Sequence, residues 1–184
     1  MKPDAPMKLD TIGWLNRAKQ QPSPNCDARP DDELPSLVVI HSISLPPGEF
    51  SGHAVEQLFV NQLDWDAHPY YREIRGLQVS THFFIRRDGE LIQFVPCTQR
   101  AWHAGVSQWL GRDKCNDFSI GIELEGTDEQ PFADAQYACL TTLLAALQTT
   151  YPIQAITGHS NIAPGRKTDP GACFDWARIT QVSP

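Results

Sequence analysis

The stretch Leu37-Val38-Val39-Ile40-His41 decides the fold class. Four consecutive apolar residues read as a strand buried on both faces, the pattern of an inner strand in a parallel sheet. The run ends at His41, and Pro46-Pro47-Gly48 breaks the chain soon after. On its N-terminal side, residues 20–36 carry Pro22, Pro24, Pro30 and Pro35 among Asp27, Asp31, Asp32 and Glu33. Prolines at this density prevent regular helix, so this segment is expected to be loop.

Working outward toward the C-terminus, residues 54–63 place Val55, Leu58, Phe59 and Leu63 on one side of a short helix. Residues 64–79 are irregular and aromatic (Trp65, Tyr70, Tyr71) and predict a long surface loop, a kind of segment that is often functional. The clearest hairpin spans residues 81–95, with Asp88-Gly89 as a type I′ turn signal between two apolar runs. Residues 119–125 alternate: Ile120, Ile122 and Leu124 face one side, Gly121, Glu123 and Glu125 the other. Leu140, Leu143, Leu144 and Leu147 follow helical spacing within 133–150, and Tyr151-Pro152 ends that helix. Residues 153–158 form a short strand that delivers His159. The tail beyond Asn161 is loop, with a last helical turn at 174–179. The order strand, helix, hairpin, strand, helix, strand predicts an α/β fold. It is a single domain, residues 1–184, with a mixed β-sheet flanked by helices, because a hairpin forces an antiparallel pair.

A chain of 184 residues is near one ordinary domain and long enough to bury a core without a disulfide framework or structural metal. Fifteen Lys plus Arg against 22 Asp plus Glu give −7, with no basic tract, which argues against nucleic acid as a partner. Cys26, Cys97, Cys115, Cys139 and Cys173 are odd in number and form no C-x-x-C pair, so neither a secreted disulfide scaffold nor a cysteine zinc site is expected. The early apolar stretch at residues 11–15 is too short for a signal-peptide core, and nothing approaches a membrane span. The expectation is a cytoplasmic chain without membrane contact.

Any one of the six histidines is ordinarily a surface or satisfied core residue. His41 and His159 differ because each follows an apolar run where a strand yields to loop, and open α/β sheets place ligands at strand ends. Two imidazoles from adjacent strand ends, with Asp169 as a third ligand on its proline-bounded loop, would make a catalytic rather than a closed zinc site. From spacing alone this is a thin signal, since the three ligands share no short motif. Glu123 reads either as part of a solvated sheet face or as a general base near the metal but not bound to it. Glu125 reads as solvated. Lys167, two residues before Asp169, would be held close enough to stabilise charge on a carbonyl oxygen, although a lone loop lysine is usually just exposed. Trp102 could pack on a sugar ring and His103 donate a hydrogen bond, or Trp102 could be core. Arg86-Arg87 reads as ordinary charge at a hairpin end.

Six ordered segments sharpen this reading: residues 36–50 (SLVVIHSISLPPGEF), 82–89 (HFFIRRDG), 100–107 (RAWHAGVS), 115–128 (CNDFSIGIELEGTD), 157–171 (TGHSNIAPGRKTDPG) and 174–178 (FDWAR). Together they closely resemble the zinc N-acetylmuramoyl-L-alanine amidases, a superfamily that also holds phage amidases and peptidoglycan recognition proteins. Within it they resemble the cytoplasmic branch acting on 1,6-anhydro-muropeptides. The resemblance covers about residues 13–178. It implies Zn²⁺ on His41, His159 and Asp169, and a catalytic pair of Glu123 and Lys167. In the phage branch a cysteine takes the third ligand position; Asp169 stands there in this chain, and Cys173 is not expected to bind metal. The implied reaction is hydrolysis of the amide between the lactyl group of anhydro-muramic acid and L-alanine of a small muropeptide, by a monomer. The resemblance also suggests Trp102 beside the sugar, Arg166 near peptide carboxylates and Tyr70 lining the cleft, with His82 and His103 as framework around the ligands. Gln78 and Lys114 depart from the arginines usual at those positions, which weakens the expected grip on an acidic stem peptide. Lys114, Arg166 and Lys167 are expected to make the cleft locally basic despite the net charge. The competing reading is a non-catalytic peptidoglycan-binding module on the same fold, which loss of a ligand, the base or the lysine would favour; none is lost.

Overall fold

A computed structural model describes residues 6–179; the first five and last five residues of the 1–184 domain reading lie outside the described residues. In chain order the strands are β1 (Lys19–Gln20), β2 (Cys26–Ala28), β3 (Leu37–Ile43), β4 (Phe83–Ile85), β5 (Leu91–Gln93), β6 (Gln99–Ala101), β7 (Gln108–Trp109), β8 (Arg112–Asp113), β9 (Ser119–Glu125) and β10 (Ala155–Gly158). The helices are α1 (Ala54–Phe59), α2 (Pro69–Glu73), α3 (Asp134–Thr150) and α4 (His159–Ile162).

Six strands form one sheet in the order β1-β5-β4-β9-β3-β10. The hairpin pair β4–β5 is antiparallel and the other neighbours are parallel, so the sheet is mixed, as the sequence predicts. On one face Val38, Ile40, Ile120, Ile122 and Leu124 pack against Leu140, Leu143, Leu144 and Leu147 of α3. On the other, Phe84 and Ile92 meet Val55, Leu58 and Phe59 of α1 and Tyr71 of α2. Covering both faces explains why Leu37 to Ile40 are continuously apolar: all four are buried. Buried Gln136 ties α3 to the sheet. Its Oε1 accepts the Ala133 N–H, and its Nε2 donates to the carbonyls of Ile85 and Glu125.

Several expectations need correction. Residues 64–79 are not all loop: α2 forms there, with Pro69 at its first turn and the His68 ring accepting the Tyr70 N–H. The hairpin turn is not type I′. Arg86 N–H donates to Glu90 O, leaving three loop residues, and only Gly89 takes a positive φ (+88°). That is a type I turn closed by a left-handed glycine. Glu125 is not solvated. It is buried, accepts the Arg87 N–H, and lies 3.6 Å from the Arg86 guanidinium, which also pairs with buried Glu56. Arg86 is therefore a half-buried ion-pair partner of two buried carboxylates rather than free hairpin charge. The strands β1, β2 and β6–β8 have two or three residues each, too short for a periodicity to reveal. Among the described residues, no helix is long and apolar enough to cross a membrane.

Candidate metal and catalytic site

Parallel pairing builds the site. In the β3–β9 register His41 stands opposite Glu123, and β10 pairs with β3 up to Gly158 opposite Ile40. His41, Glu123 and His159 thus come side by side at the carboxyl ends of three adjacent parallel strands, where α/β sheets hold their ligands. Asp169 returns on its loop, with Asp169 O accepting the Ser160 N–H.

The Nδ1 atoms of His41 and His159 are 2.9 Å apart, and Asp169 Oδ2 is 3.1 Å from each. Ligand atoms about 2 Å from a zinc ion stand roughly 3 Å from one another, so this triangle has the size of one face of a tetrahedral site. Burial pushes His41 down to about 4, so at neutral pH its ring is uncharged. For Asp169 burial acts upward, but the close His159 and His41 rings outweigh it and hold the carboxyl well below its ordinary range. A neutral imidazole and a carboxylate converging with a second imidazole repel one another unless a cation joins them. The second ring nitrogens are also anchored, His41 Nε2 to His103 Nδ1 at 2.9 Å and His159 Nε2 to Ala104 O at 3.1 Å. Such outer contacts orient metal-binding histidines. The residues fit a divalent metal.

Glu123 supplies the second observation. It is 8% exposed, yet its Oε2 is buried with no hydrogen-bond partner. Burial and then Asp169 raise its pKa well above the usual carboxylate range, with Lys167 pulling the other way. His41, His159, Asp169, Glu123 and Lys167 all line one cavity of about 390 Å³. Leu45, Leu58, Phe59, Tyr70, Ile74 and Leu77 form an apolar wall of it.

The structure brings together the three expected ligands, Glu123, Lys167 and Tyr70. It places Trp102, Arg166 and Lys114 outside that lining. Trp102 donates its indole N–H to Asp27 and does not line the cavity. The guanidinium of Arg166 is drawn to the carbonyls of Ala104 and Val106, bracing that loop. Lys114 is exposed just after β8. The basic cleft expected from three cations therefore reduces to one, Lys167, with Asp128 adding an acid to the lining. His103 does line the cavity, but both its ring nitrogens are engaged within the protein. Asp128, which accepts from the Ser42 hydroxyl, was not singled out by sequence reasoning; the signal available was the continuation of the 115–128 motif past Glu125.

The mixed sheet thus carries a two-histidine, one-aspartate cluster able to hold a metal ion, beside a buried and unpartnered glutamate. The N-acetylmuramoyl-L-alanine amidase family matches residues 31–172, and the chain belongs to it. It is 60% identical over 175 residues to the 1,6-anhydro-N-acetylmuramyl-L-alanine amidase AmpD of Citrobacter freundii, covering 94% of this chain and 93% of that protein. Identity to AmpD of Escherichia coli K12 is 59% over 169 residues, covering 91% of this chain and 92% of that one. A crystal structure of a selenomethionine derivative of AmpD matches with a TM-score of 0.93 at 59% identity, covering 95% of this chain and 98% of that one. A complex of E. coli AmiD with anhydro-N-acetylmuramic acid-L-Ala-D-γ-Glu-L-Lys matches at TM-score 0.58 and 28% identity, covering 94% of this chain and 64% of that one.

Proposed function

We propose that this amidase hydrolyses the bond between the lactyl group of 1,6-anhydro-N-acetylmuramic acid and L-alanine in small muropeptides, using Zn²⁺ held by His41 Nδ1, His159 Nδ1 and Asp169 Oδ2. The unpartnered Oε2 of buried Glu123 beside that cluster carries the reading. The names of the AmpD relatives, and the ligand named in the AmiD complex, support the substrate class. When bound, zinc supplies Lewis-acid charge that acidifies water and polarises a carbonyl. Glu123 Oε2 takes a proton from the attacking water and delivers it to the alanine nitrogen as the C–N bond breaks, leaving a lactyl carboxylate and a free peptide amine. The Lys167 ammonium faces the negative charge that develops on the carbonyl oxygen. Tyr70 and the apolar wall hold the sugar–peptide junction against the cluster. Five free cysteines, two of them buried, suit a reducing cytoplasm, where imported wall fragments rather than the wall would be the substrate.

Equilibrium dialysis and turnover test this together. Wild type and Glu123→Ala should each retain one zinc per chain, while the variant loses about 10²–10⁴-fold in turnover. Zinc well below one per chain in the wild type, or wild-type turnover in the zinc-loaded variant, contradicts the reading.

A further inference from the structure

The His41 ring is held by a run of hydrogen bonds whose direction can be deduced. Ser119 Oγ lies 2.5 Å from the carbonyl oxygen of Cys115. A carbonyl only accepts and a serine has one proton, so Ser119 spends its proton there. His103 Nε2 is 3.1 Å from the same Oγ and must therefore donate to it. That leaves His103 Nδ1 bare, 2.9 Å from His41 Nε2. His41 consequently carries its proton on Nε2, and its Nδ1 lone pair points at His159 and Asp169. A separate observation concerns the ring's seat. A β-carbon on Gly121, in the middle of β9, would come within 2.5 Å of His103 Cγ. The bare strand face is what admits the His103 ring.

We propose that Ser119 and His103 are positioning residues: the chain Cys115 O ← Ser119 ← His103 ← His41 sets the tautomer through which His41 binds zinc. The proposal rests on the metal reading above, but the direction of the chain belongs to the metal-free protein as well. Neither residue is a metal ligand, and neither touches the reacting atoms.

Zinc affinity, measured by competition with a chromophoric chelator, separates this from simple packing. His103→Ala should weaken zinc binding about 10–100-fold, the usual cost of losing an outer partner of a metal ligand. His103→Asn, whose Oδ1 can stand in for Nδ1 as acceptor, should restore most of that loss. Ser119→Ala, which frees His103 to take either tautomer, should fall between. In parallel, long-range proton–nitrogen correlation spectra of the metal-free wild type should show His103 protonated on Nε2. Protonation of His103 on Nδ1, or equal zinc affinity in all four proteins, overturns the proposal. A wild type that binds no zinc while His103 keeps its Nε2 proton would instead remove the metal reading and support the deduced direction of the chain.

Discussion

Glu123 shows how a single residue trades stability for chemistry. Its carboxyl is buried with one oxygen unpartnered, a costly arrangement that the fold tolerates beside the His41, His159 and Asp169 cluster. Burial raises its pKa in the folded, metal-free chain, so the folded state keeps a proton that the unfolded state releases above about 4.5. Stability from this group is complete below that value and is lost as pH rises through the raised folded pKa. Glu123→Gln should therefore unfold at higher urea than wild type in metal-free protein, by a margin that grows with pH from 4.5 upward, while abolishing most turnover. Equal midpoints across that range would contradict the burial argument. His41 and His159 were readable from their places at strand ends, whereas Glu123, Lys167 and Asp169 rested on the motifs that carry the family resemblance. The orientation of His103 was not, because it depends on a serine, a carbonyl and a glycine far apart in the chain.

At the scale of elements, α3 holds the sheet through a leucine stripe that its spacing announced. Leu144 is fully buried against the strand face formed by Ile40, Ile120 and Ile122. Leu144→Ala should cost about 2–5 kcal/mol by urea unfolding, as a core cavity does, without altering zinc stoichiometry. A loss under 1 kcal/mol would mean that the sheet face closes over the gap. The long strands β3 and β9 and the helix α3 repeat their pattern over enough residues to be read directly. The two- and three-residue strands do not, and α2 rests on Pro69 and a histidine cap rather than on periodicity. Glu125 misled for a different reason: alternation assumes one wet face, whereas β9 is covered on both.

Across the whole molecule, the three-layer arrangement buries histidines that must stay neutral. His82 is fully buried. Its Nδ1 accepts the Gly121 N–H and its Nε2 donates to Gln99 O, and burial followed by the Arg29 charge pushes it down to about 3. Between that value and 6.5 the unfolded chain binds a proton that the folded chain refuses, so stability falls as pH drops below 6.5. His82→Gln should flatten the acid limb by nearly one proton, about 1.4 kcal/mol per pH unit. An unchanged slope in urea titrations at several pH values would show that other groups drive acid unfolding. The acidic total of the chain says little about the cavity, where Lys167 is the one cation among its lining residues. The account as a whole is tested most directly by mass analysis of products from purified 1,6-anhydro-muropeptide incubated with zinc-loaded enzyme. It predicts two products, the anhydro-sugar with an intact lactyl carboxylate and the free stem peptide beginning at L-alanine. Cleavage within the peptide, or recovery of intact substrate, would contradict it.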